Sequence, residues 1–171
     1  MSLKSWYKTK YPHSYNIDIN FHLPLYEHIR RLNPETVFEF GCNVGKNLNM
    51  LRQYKTHGID TSERAIKQGK KIFNLNIETG DEVTIGEMSE RGERYDVVFT
   101  VSTLCHIEET DKLIKDLSSI ATHLFMYETK CKGWRFFDHD YPGDIILSRT
   151  PQTLKCKYNL YYVNNSCNNK L

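Results

Sequence analysis

The chain lacks several features that would assign it to a common class. It has no C-x-x-C pair, and its five cysteines, Cys42, Cys105, Cys131, Cys156 and Cys167, are odd in number. Neither a disulfide framework nor a zinc site is indicated, and the reading is a reducing cytosol, so a cytoplasmic protein. No apolar run approaches the ~18 residues that a membrane span needs. The first residues, "MSLKSWYKTKYPHSY", are polar and aromatic, with no apolar signal core. No Pro/Gly/Ser-rich linker divides the chain and no internal repeat is visible. Lys+Arg number 23 against 21 Asp+Glu, a net charge of +2. No concentrated basic face results, which argues against a nucleic-acid partner. Small runs such as Lys67-Gln68-Gly69-Lys70-Lys71 read as a solvated helix face.

What is present is a regular alternation. The 171 residues suit one domain with a sizeable core. Leu25, Ile29 and Leu32 fall on one helical face over 23–32, and Asn33-Pro34 stops that helix. Thr36–Phe40 reads as the first strand, and a helix with Val44, Leu48 and Leu51 follows from about Gly45. Residues 56–60 read as a second strand. Thr61 or Ser62 caps a helix whose apolar positions are Ala65, Ile66, Ile72 and Phe73. "DEVTIGE" at 81–87 predicts a third strand, "YDVVFTVS" at 95–102 a buried fourth, 110–120 a helix and "HLFMYET" at 123–129 a fifth strand. Beyond Lys130 the pattern weakens. "PGDIILSR" suggests a helix, "TLKCKYNLYYV" a strand and "NNSCNNKL" a frayed tail. Strand and helix in this order predict an α/β fold: a Rossmann-like, doubly wound, mostly parallel sheet with helices on both faces.

In such a sheet ligands bind beyond the carboxyl ends of the strands. "ETVFEFGCNVGKNLNML" places Gly41 to Gly45 there, with the carboxylate Glu39 inside the strand before it. A dinucleotide fingerprint, G-x-G-x-x-G, would need glycines where Asn43 and Lys46 stand. Glu39 would also repel phosphates and favour a ligand bearing an amine or a sulfonium.

These residues resemble the first motif of class I S-adenosylmethionine-dependent methyltransferases, an acidic residue followed by G-x-G-x-G, with Asn43 at the middle glycine. The run G-C-N-x-G-x-N-L is similar to that of small bacterial methyltransferases, some tied to surface-sugar pathways. The resemblance covers roughly 36–129 through four motifs in order. It implies S-adenosyl-L-methionine as cofactor, held by Glu39, Gly41, Cys42, Asn43, Gly45 and Asn47 of the first motif. Asp60 and Thr61 of "HGIDTS" would meet the ribose; Glu39 and Asp60 lie close to the ~20-residue spacing of such a unit. Glu87 and Met88 of "IGEMSE" would meet the adenine. Thr100 and Val101 of "YDVVFTVSTLCHI" would line the methionine side.

Each residue also has a bland reading. Asp60 could simply cap the next helix, Met88 could be core, and Cys42 reads as a small spacer. A hydroxyl or protonated amine acceptor needs a base. His106 is the first candidate, then Glu128 and His139. "DHD" at 138–140 reads as a turn rather than a metal site. Trp6, Tyr7 and Tyr11 are either packing or a lid. Trp134, Phe136 and Phe137 are either packing or an acceptor pocket.

The expected function is methyl transfer to a small-molecule acceptor, sugar-derived ones included, with the oligomeric state open. A non-catalytic binding or interaction domain and a nicotinamide-dependent oxidoreductase are the alternatives. The expected division is a single domain over 1–171: arm and helix to 33, cofactor core 36–129, substrate side from 130. Few residues remain after the fifth strand, so a truncated sheet or a completing partner is expected.

Overall fold

A computed structural model describes residues 21–130, 137–149 and 157–166. Trp6, Tyr7, Tyr11, Trp134 and Phe136 lie outside the described residues. Helix α1 spans Leu23–Leu32. Pro24, which has no N–H to leave unpaired, stands in its first turn, and left-handed Asn33 ends it. Strand β1, Thr36–Phe40, leads into the short helix α2, Lys46–Met50. Strand β2, Lys55–Asp60, precedes α3, Glu63–Phe73, whose N-cap Ser62 accepts from the Ala65 amide. Strand β3 is only Ile77–Thr79, and α4 follows at Glu82–Glu90. Strand β4, Tyr95–Val101, a 3₁₀ turn at Leu104–His106, α5 at Asp111–Ser119 and strand β5 at Ala121–Lys130 complete the alternation. Strands β6, Asp144–Arg149, and β7, Lys157–Asn164, close the sheet.

The seven strands stand in the order β3-β2-β1-β4-β5-β7-β6. Strands β1 to β5 are mutually parallel, and β7 runs antiparallel between β5 and β6. Alternation along the strands divides the core into two layers. Phe38, Val98, Leu124 and Met126 face Ile85, Met88, Leu113 and Leu117 of α4 and α5. Val37, Val97, Phe99 and Phe125 face Leu25, Ile29, Leu48 and Ile66 of α1, α2 and α3. Leu25, Ile29 and Leu48 are fully buried; side chains of this kind contribute roughly 1.5–3 kcal/mol each relative to exposure.

Three local expectations are corrected. Residues 82–90 form a helix, not a strand: Asp81 caps it through the Val83 amide and forms a capping box with Thr84. The third strand is the shorter segment before it. "DIILSR" is a strand, and with β7 it supplies the last two strands in full, so the sheet is not truncated. Ile72 is 55 % exposed, while Gly69 takes a buried position on α3.

Candidate active site

The carboxyl ends of β1, β2 and β4 carry the residues of the first, second and fourth motifs that the sequence singled out. After β1 the chain turns through three left-handed residues: Gly41 (φ +78°), Asn43 (φ +51°) and Gly45 (φ +78°). A side chain at Gly41 would overlap Thr103 of the loop after β4, so glycine there is demanded by conformation and by loop-on-loop packing together. The loop is tied to β2: the amides of Gly41 and Cys42 donate to the Ile59 carbonyl at 2.9 and 3.0 Å. Asp60 finishes the clamp. Its Oδ2 accepts from the Asn43 amide and its Oδ1 from the Ser62 amide, each at 2.8 Å. Burial raises the Asp60 pKa and these two amides pull it back.

Glu39 projects from β1 into the layer of α1 and α2, 1 % exposed. Asn47 Nδ2 donates to its Oε1 at 2.6 Å, and Oε2 has no partner among the described residues. Burial, with Asp60 nearby, pushes its carboxyl up to about 8, against the opposing pull of Asn47. Asn47 Oδ1 in turn accepts from the Tyr26 hydroxyl at 2.6 Å and meets His22 Nδ1 at 3.1 Å.

Glu128 at the end of β5 is fully buried and turned inward. Its carboxylate accepts from Thr100 Oγ1 at 2.7 Å, the Thr103 amide at 3.1 Å and the Cys105 amide at 3.3 Å. It therefore organises the loop after β4, including left-handed Ser102, and has no face open to an acceptor. This corrects its place among the candidate bases. His139 Nε2 meets the Ile107 carbonyl at 2.7 Å, so that nitrogen is the donor in its bond and is committed to the loop. The Phe137 amide likewise bonds the Cys105 carbonyl at 2.8 Å, drawing 137–139 over the loop. His106 stands half-buried on the 3₁₀ turn, its amide donating to the Thr103 carbonyl at 3.1 Å.

Asp138 and Asp140 pair with Lys130. Among the described residues no group of three His, Cys, Asp or Glu could hold a metal ion, and no helix is long and apolar enough to cross a membrane. Cys42 is buried, and burial raises its thiol well above the ordinary range, as befits a spacer. Thr100 is sealed against Glu128, and Val101 packs beside Phe99 and Tyr127.

Glu87 and Met88 do not meet the cleft as expected. Helical periodicity exposes Glu87, which faces Arg91 at 3.8 Å, and buries Met88 in the core. The end of β3 instead carries a cavity of about 190 Å³ lined by Thr61, Thr79, Gly80, Asp81 and Thr84. The sequence reading missed Asp81 there because its strand was placed too late; the Gly80-Asp81 turn signal was the available clue. It also missed His22 and Tyr26, which sit in the first helical turn with no motif of their own.

A mostly parallel sheet with one antiparallel strand set between β5 and β6, a glycine loop after β1 and acids at the ends of β1 and β2 make the class that of a methyltransferase fold. The chain matches the family described as "Methyltransferase domain" over residues 38–123 and belongs to that family. It is a methyltransferase, and its methyl donor is S-adenosyl-L-methionine. No curated protein matches it. Among solved structures it is similar to the magnesium protoporphyrin IX methyltransferase of Synechocystis PCC 6803 with bound S-adenosylhomocysteine (TM-score 0.68, 15 % identity, 95 % of this chain and 98 % of that one). It is also similar to the N-terminal domain of EvdMO1 in the presence of S-adenosylhomocysteine and D-fucose (TM-score 0.65, 13 %, 89 % and 84 %). A third likeness is to the PH0226 protein of Pyrococcus horikoshii OT3 (TM-score 0.60, 20 %, 74 % and 66 %). At these identities the likeness is one of fold.

Proposed function

We propose that the protein transfers the sulfonium methyl of S-adenosyl-L-methionine to a small-molecule acceptor, with sugar-derived compounds the first class to test. The observation that carries this reading is the bare, buried Oε2 of Glu39 beside the glycine loop. A buried acceptor without a donor is costly, and a ligand with a cationic amine satisfies it. Asp60 keeps unused lone pairs for a vicinal diol after taking its two amides. The cavity beside Thr61 and Asp81 suits the base of a nucleoside. That a porphyrin methyltransferase and a domain studied with D-fucose share this fold supports a small-molecule acceptor. The reading takes 1–171 as one methyltransferase domain, with the part from 130 onward on the acceptor side.

When bound, the donor supplies a methyl group already activated by positive sulfur. The chain's own work is to orient the two partners and exclude water. His106, on the loop after β4, is the first candidate base for a hydroxyl acceptor; Glu128 is sealed, and His139, whose Nε2 donates to the Ile107 carbonyl, keeps Nδ1 and comes second.

Calorimetric titration with S-adenosylhomocysteine tests the donor site. Asp60→Ala is expected to weaken binding by roughly 2–4 kcal/mol. No heat and no thermal shift with the wild-type protein at millimolar ligand would overturn the reading. An acceptor screen follows, in which His106→Ala should lower turnover by about 10²–10⁴-fold at unchanged donor affinity.

A further inference from the structure

Facing Glu39 across Asn47 stands a second buried group that the donor reading has not used. His22, the N-cap of α1, is 8 % exposed, and its Nε2 has no hydrogen-bond partner among the described residues. The bonds around it fix its tautomer. Asn47 Nδ2 donates to Glu39, so Asn47 Oδ1 is an acceptor. That oxygen takes the Tyr26 hydroxyl and the His22 Nδ1–H. A neutral imidazole protonated at Nδ1 keeps a bare lone pair at Nε2. Burial lowers the His22 pKa and favours that neutral form.

One chain of hydrogen bonds therefore ends at two buried atoms with no partner among the described residues, His22 Nε2 and Glu39 Oε2, and Oε2 is an acceptor once a cation opposite it favours the ionised carboxylate. Aromatic rings enclose the imidazole: Phe21, Tyr127 and Tyr26 lie 5.9, 5.7 and 6.4 Å from it, centroid to centroid. Acceptors without donors exclude a carboxylate as the matching group, because a carboxylate has no hydrogen to give. An ammonium has three N–H donors, and aromatic faces favour its charge.

We infer that His22 is a binding residue whose Nε2 accepts from the ammonium of the donor's amino-acid end, alongside Glu39 Oε2, with Tyr26 and Asn47 as positioning residues. This rests on the donor reading above. It places a residue from the helix before β1 in the site, and it makes recognition of the amine depend on how α1 docks.

The test is calorimetry on the full chain with three probes. S-adenosylhomocysteine has the amine and the carboxylate. Decarboxylated S-adenosylmethionine keeps the amine alone. 5′-Methylthioadenosine has neither and keeps the ribose. His22→Asn offers an amide in place of Nδ1–H and deletes the distal acceptor; His22→Gln places an amide oxygen where Nε2 stood. His22→Asn should weaken the first two probes by about 10–100-fold and leave 5′-methylthioadenosine unchanged. His22→Gln should retain most of the affinity. Equal losses for all three probes would mean a structural role and overturn the inference. A loss for S-adenosylhomocysteine alone would mean a carboxylate contact and overturn it too, as would no loss at all. Should thermal melts show that His22→Asn is unfolded, His22→Phe, which keeps the ring's shape, is read in the same way. Failure of the wild type to bind S-adenosylhomocysteine defeats the donor reading itself, whereas unchanged binding by the variant defeats only the role of His22.

Discussion

Two glutamates lie at the heart of the sheet's carboxyl edge, and their surroundings differ in one respect. Glu128, on β5, is fully buried and receives a hydroxyl and two backbone amides. Glu39, on β1, is as deeply buried and receives one amide group on one oxygen, while the other oxygen has no partner among the described residues. Burial raises the pKa of both. A buried carboxylate whose lone pairs are filled from its own chain holds that chain in shape. One left half-filled is a cost to the empty protein, and the cost is relieved when a ligand supplies the missing donors. Burial and charge alone would class the two together; the hydrogen-bond inventory separates them.

The sharpest way to break this contrast is to remove Glu128. Glu128→Ala leaves the Thr100 hydroxyl and the Thr103 and Cys105 amides buried without their acceptor. Stability should fall by about 3–5 kcal/mol, read from urea denaturation. A loss under ~1 kcal/mol would mean that the loop after β4 does not depend on this carboxylate.

Glu39 should respond to pH instead. Its folded pKa of about 8 lies above the ordinary 4.5, so the folded state prefers the protonated form. That contribution is fully present below pH 4.5 and is lost as the pH rises through 8, at up to about 1.4 kcal/mol per unit. The melting temperature of the ligand-free protein should drop across this window. Glu39→Gln should flatten the drop in part, since Asp60 and Glu128 are raised in the same sense. An identical slope in the variant would show that Glu39 is ionised in the fold at no cost.

The smallest effect belongs to Glu87, the acid that sequence reasoning placed at the adenine. It is exposed on α4 opposite Arg91. Glu87→Ala should change stability and S-adenosylhomocysteine affinity by no more than ~0.5 kcal/mol. A larger loss of affinity would restore it to the site.

Legibility in the sequence followed the length and purity of each signal. Val37–Phe40, Val97–Val101 and Leu124–Tyr127 are apolar runs, interrupted by Glu39 in the first and Thr100 in the second, and they became the central parallel strands. The glycine loop and Asp60 were readable because positive φ and turn chemistry restrict residue choice. The third strand was not, because Ile77 is its one buried residue and the neighbouring Val83 and Ile85 mimic a two-residue period. In the helix that actually forms, Val83 is 66 % exposed while Ile85 and Met88, three apart, go inward. Residues 145–147 of β6 misled for a different reason: an edge strand buries so little of itself that three apolar residues in a row give no period to read. His22 carried no signal, since its role arises from a contact with Asn47, 25 residues away.

The sheet order has a consequence for how the chain assembles. Strand β6 is synthesised before β7, yet in space β7 lies between it and β5. Every ladder bond of β6 is made to β7, through pairs from Asp144↔Tyr162 to Arg149↔Tyr158. Until β7 has been made, β6 has no strand to pair with, and until β7 docks on β5 the outer edge of β5 stands open from His123 to Lys130. Closure of the sheet is therefore a late event that depends on long-range contacts, which are slow to form. During that interval the β5 edge is a template that a second nascent chain could occupy. Slowed docking of β7 should thus appear first as lost yield through aggregation, before any change in the affinity of the finished enzyme for its donor.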